Sequence, residues 1–69
     1  MPLRLADLEK EYEIIRLGGS PDVKQHLADM GFHVGAKVTV VSRAGESVIV
    51  NIKGVRVAIG KELAGKIFV

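Results

Sequence analysis

Ser20-Pro21-Asp22 opens the one segment of this 69-residue chain whose apolar residues recur at helical spacing. Val23, Leu27 and Met30 fall at i, i+4 and i+7, a single narrow stripe, while Lys24, Gln25, Ala28 and Asp29 point elsewhere. The spacing predicts a helix over about 21–30. Ser20 suits the N-cap because its hydroxyl can accept a free N–H of the first turn, and Pro21 sits where a missing N–H costs nothing. Gly31 supplies the left-handed residue that stops a helix, and Gly35 marks a second tight turn. Between these two structural glycines, Phe32 and Val34 can fold back onto the core. A helix with one apolar stripe needs a second layer to dock on, and the remaining residues have the pattern of strands.

Tyr12–Leu17 is the first expected strand, ended by Gly18-Gly19. Val34–Ser42 alternates with the period of a half-buried strand, and a turn at Arg43-Ala44-Gly45-Glu46 leads back through Ser47–Ile52. Lys53-Gly54 makes the next tight turn before Val55, Val57 and Ile59, which are expected to share one face. A short helical turn is expected near 61–64, with Leu63 and Ala64 inward, and Lys66–Val69 closes the chain as a last strand. Pro2–Leu8, with Leu3, Leu5 and Leu8, reads as a lead-in that plugs one end. Pairing of the last strand with the first would close a small barrel and remove its edges. The expectation is therefore a mainly β fold, a small barrel of about five antiparallel strands with one inserted α-helix, as a single domain over 1–69.

The chain has no cysteine, so the fold must rest on apolar packing without disulfides or thiolate-bound metal. Apolar residues make up 48% and aromatics only 4%, which favours β-branched sheet packing. No apolar run approaches the roughly 20 residues of a bilayer span, and no signal-peptide pattern opens the chain. A soluble cytoplasmic protein is expected. The net charge of +2 comes from Lys and Arg scattered singly among acids. With neither a basic stripe nor rows of stacking aromatics, nucleic acid is not an expected partner. Ser20, Ser42 and Ser47 lie at element ends, where caps and turns explain them, and no glycine pair has phosphate-loop spacing. The chain is not expected to be an enzyme.

Two surfaces remain as candidates. Asp22, His26 and Asp29 share a helix side, with His33 soon after, and carboxylate plus imidazole at that spacing suits a divalent transition metal such as Fe2+. A plainer explanation is Asp22 favouring the helix N-terminus and pairing with His26. Alternation also puts Val41 and Ile49 on the outer faces of neighbouring strands, together with Ile14 or Ile15, and a contiguous apolar patch there would suit docking.

The segment Leu27-Ala28-Asp29-Met30-Gly31-Phe32-His33-Val34-Gly35-Ala36-Lys37-Val38 follows the pattern L-x-x-x-G-[apolar]-x-x-G-x-x-[apolar], and Ala64–Val69 follows A-x-x-I-x-V. With Leu3 and Leu8 in the lead-in, the chain resembles the FeoA family of ferrous-iron transport accessory proteins along nearly its whole length. It departs from many members at Lys10-Glu11, where they carry Gly-Glu, and at Val34, where they carry Pro. The resemblance implies an SH3-like barrel and a non-catalytic cytoplasmic protein that binds the membrane ferrous-iron transporter FeoB and modulates it. Under that reading the loop Gly31–Gly35, with Phe32 and His33 reachable, and the outward Val41 and Ile49 make the contact. The alternative is a metal-sensing barrel related to the DtxR-type repressor domain, with Asp22, His26 and His33 as ligands.

Overall fold

The alternating segments do form the main sheet. In the computed structural model, which describes residues 1–69, strands β1 (Glu11–Glu13), β3 (Lys37–Ala44), β4 (Ser47–Ile52) and β5 (Val55–Gly60) make an antiparallel sheet in the order β1-β3-β4-β5. A second sheet pairs β2 (Arg16–Leu17) with β6 (Ile67–Phe68), also antiparallel. Helix α1 spans Pro21–Asp29, a single α-helical turn α2 spans Lys61–Ala64, and a 3₁₀ turn covers Leu3–Leu5. The last strand does pair with the first segment, at Arg16↔Phe68 and Leu17↔Ile67, but as a separate sheet, so β1 and β5 remain edges of the main one.

Registers Val38↔Ile52, Val40↔Val50 and Val48↔Ile59 stack β-branched side chains across the inner face, and all six are buried. Each such side chain, fully buried, contributes about 1.5–3 kcal/mol. Leu3, Ala6, Ile14, Leu27, Phe32, Ala36, Ala64 and Ile67 complete the same core from the surrounding elements.

Three departures from the alternation have physical causes. The expected first strand breaks in two because Ile14 and Ile15 bond to different sheets. The Ile14 N–H donates to the Ala36 carbonyl (2.9 Å) and its carbonyl accepts from Gly35 N–H (2.8 Å), whereas the Ile15 N–H donates to the Phe68 carbonyl (2.8 Å). This is the corner at which the chain changes sheets, with Ile14 buried and Ile15 exposed. The next strand starts at Lys37 and not Val34, because 33–36 form a turn closed by Ala36 N–H on the His33 carbonyl (3.0 Å). Within β3 the register slips between Val40 and Ser42, a bulge that turns Arg43 inward opposite Val48. From there its guanidinium donates to the carbonyls of Arg4 (2.9 Å) and Ala6, tying the lead-in to the barrel end. Only Leu3 and Ala6 of that lead-in are buried; Leu5 and Leu8 are exposed. On β5, Ile59 alone is buried, Val57 is half-buried and Val55 exposed, since no strand lies beyond β5 to cover them.

The helix is capped as its sequence requires. Val23 N–H donates to Ser20 Oγ (3.3 Å), with Pro21 in the first turn. Replacing Ser20 by Ala is expected to cost about 1 kcal/mol, read as a lower midpoint in denaturant with an unchanged slope. At the other end Gly31 adopts φ +98°. Gly31 N–H donates to the Ala28 carbonyl and Phe32 N–H to the Leu27 carbonyl, each at 2.9 Å. That pair of bonds is a Schellman motif, which places Phe32 against the last turn of the helix.

Candidate interaction surface

The Schellman motif decides the fate of Phe32. Its side chain is 0% exposed, in the core with Leu27, so the expectation that it is reachable from outside does not hold. The other residues of that turn are exposed. His33 Nε2 lies 2.6 Å from Lys53 Nζ, joining the turn 33–36 to the β4–β5 turn. An ammonium has only donors, so the imidazole nitrogen is the acceptor in this contact. Lys53 and Gly54 both have positive φ, +53° and +78°, as a two-residue I′ turn requires, and this holds the lysine at the corner.

The expected metal ligands are not gathered. Asp22 and His26 are exposed on α1 with no ion pair between them, and His33 is turned toward Lys53 instead. Asp29 accepts from Gln25 Nε2 at 2.9 Å. Nowhere do three or more carboxylates and imidazoles come together to hold a metal ion.

Val41 and Ile49 are half-buried on the outer face of the main sheet. Val41 occupies the bulge, and Ile49 stands between Ser42 and Ala58. More apolar surface lies at the corner that the sequence pattern did not single out as a unit. Ile15 is 61% and Val34 62% exposed. The Gly35 N–H bond to the Ile14 carbonyl brings their two segments side by side, and His33 links Val34 to Lys53. Ile15, His33, Val34 and Lys53 therefore make one apolar and cationic corner, bordered by Arg16, whose guanidinium stacks 4.0 Å from the centroid of the Phe68 ring. Ile15 and Val34 are two of the six large apolar side chains left exposed, and backbone bonding brings their segments together here. The sequence signal was there: Ile15 stands beside a buried isoleucine where the chain changes sheets, and Val34 lies inside a glycine-bounded turn. No helix is long and apolar enough to cross a membrane.

The FeoA domain model matches residues 1–69. A Methanocaldococcus jannaschii protein provisionally named Fe(2+) transport protein A is 34% identical over 68 residues, covering 99% of this chain and 83% of its own. The crystal structure of an iron uptake regulatory protein, FeoA, superimposes with a TM-score of 0.87 at 33% identity, covering 96% of this chain and 88% of the other. At the level of fold alone, two more distant structures agree. One is Stenotrophomonas maltophilia FeoA, an SH3 domain protein in complex with zinc (TM-score 0.84, 20% identity, 99% and 87% covered). The other is a manganese-dependent transcriptional repressor, of which this fold occupies 40% (TM-score 0.90, 19% identity, all of this chain covered). A match along every residue, with the glycine-bounded turn and the closing strand in place, makes this SH3-like barrel a member of the FeoA family.

Proposed function

We propose that this protein is a non-catalytic accessory of ferrous iron uptake that docks in the cytoplasm on the cytoplasmic part of FeoB and modulates transport. Family membership and the name of the archaeal relative support the transport role. The observation that carries the docking role is the corner of Ile15, His33, Val34 and Lys53, where exposed β-branched side chains sit beside cationic groups on a turn held at both ends by backbone bonds. A rigid corner loses little conformational entropy on binding, so even a small apolar contact can be specific. Val41 and Ile49, half-buried on the outer face of the main sheet, form a second, weaker candidate face. The metal-sensing alternative has less behind it: the likeness to the repressor is one of fold, and His33 stands toward Lys53 and not beside Asp22 and His26. Purified chain titrated into the isolated cytoplasmic part of FeoB, in its nucleotide-free, GDP and GTP states, is expected to bind in at least one of them. Absence of binding in all three would remove the proposal.

A further inference from the structure

The main sheet has two edges, and only one is protected. β1 is three residues long and carries Glu11 and Glu13 beside Lys10, a short charged edge that resists pairing. β5 has six residues, no proline and a single charge, Arg56. Its closing turn is a two-residue one, so Ile52↔Val55 is a hydrogen-bonded pair, and the alternation continues through Val57 and Ile59. The N–H and C=O groups of Arg56 and Ala58 then point away from β4, and no other part of the chain bonds them. Both residues are exposed.

We infer that this edge pairs with β5 of a second copy of the chain, antiparallel about a two-fold axis through Val57. The inference is independent of the docking corner, which lies on other residues. Outward-pointing residues must face outward-pointing residues, so a symmetric pairing can centre only on Arg56, Val57 or Ala58. Centring on Arg56 sets two guanidinium groups directly opposite, which is unfavourable. Centring on Ala58 places Val55 across from Lys61 and leaves it uncovered. Centring on Val57 puts each Arg56 across from Ala58 of the second copy, with room and no like charge directly opposite, and brings the exposed Val55 within the paired edge, at the level of Ile59 of the second copy. Val57 then meets its own counterpart as a non-hydrogen-bonded pair, with Cα atoms at about 4.5 Å. In that one register the strand matches its own copy in bonding phase and sets the long Arg56 against the small Ala58, as an isologous interface requires. This favours a second copy over an unrelated extended segment.

The interface is small, so a weak, reversible dimer is expected, detectable by sedimentation velocity below about 1 mM as a rise toward twice 7.4 kDa. Because the chain has no cysteine, Val57→Cys supplies a single thiol at a distance that suits a disulfide. It is expected to oxidise to a covalent dimer much faster than Lys24→Cys on the exposed helix face. Ala58→Lys, facing Arg56 of the second copy, is expected to weaken association on the order of tenfold, and Ala58→Glu to tighten it by a similar factor at low salt. A wild-type chain that stays monomeric to 1 mM, Val57→Cys that oxidises no faster than Lys24→Cys, faster cross-linking through Ala58→Cys, or Ala58→Lys and Ala58→Glu acting alike would each overturn the pairing.

Discussion

Phe32→Ala is expected to leave a large part of the population unfolded at 25 °C, seen as a lost or strongly lowered thermal transition in circular dichroism. Truncating a buried phenylalanine typically costs about 3–5 kcal/mol, the lost transfer free energy plus the cavity left behind. A domain of this length has only roughly 3–10 kcal/mol in total. The two figures are comparable, so one side chain decides whether the chain folds. Its position explains why. Phe32 follows the left-handed Gly31, donates its N–H to the Leu27 carbonyl and packs where helix α1 meets the sheet. The substitution therefore removes the contact that fixes the helix end as well as core volume. Phe32→Leu, which keeps most of that volume, is expected to lose about half as much or less. If Phe32→Ala melted within a few degrees of the wild type, the helix would not be anchored through this residue.

The second large effect concerns the corner and not the core. Val34→Glu combined with Ile15→Glu is expected to weaken binding to the cytoplasmic part of FeoB by at least about tenfold, with stability changed by no more than roughly 0.5 kcal/mol. Both side chains are already mostly in water, so neither change opens a cavity or buries a charge. The backbone bonds at this corner come from Ile14, Ile15 and Gly35 main-chain groups and survive the substitutions. Binding and folding thus separate cleanly: Phe32→Ala lowers both, and the corner pair lowers binding alone. Equal binding by the doubly substituted chain would move the contact to another face.

Much of this architecture was legible in the residues. Strand β4 runs over the expected Ser47–Ile52, with Val48, Val50 and Ile52 inward. The helix begins at its Ser-Pro cap and stops at Gly31 as patterned, and the terminal strand pairs with the first segment. The misses all fall where main-chain bonding outweighs side-chain period. Tyr12–Leu17 looks like one strand because apolar residues lie on both sides, yet two adjacent isoleucines are also the mark of a chain leaving one sheet for another. The bulge after Val40 cannot be seen in a run of valines, and it alone brings Arg43 to the carbonyls of Arg4 and Ala6.

The candidate site was legible only in part. Within the turn between Gly31 and Gly35 the pattern points to Phe32 as reachable, whereas the structure buries it and leaves His33 and Val34 exposed. The order Leu27-x-x-x-Gly31-Phe32 is itself the sequence of a Schellman motif with its hydrophobic contact, so Phe32 could have been assigned to the core from spacing alone. His33 and Val34 are then the residues left to face outward. Asp22 and His26 lie one helical turn apart on an exposed face, and His33 stands toward Lys53 instead of joining them.

The most direct test of the central claim is an NMR titration of the isotope-labelled chain with the unlabelled cytoplasmic part of FeoB, following amide shifts and intensities residue by residue. The largest changes are expected at Ile15, His33, Val34 and Lys53. No change in any nucleotide state, or changes confined to the β5 edge or to the Met1–Leu5 end, would contradict it.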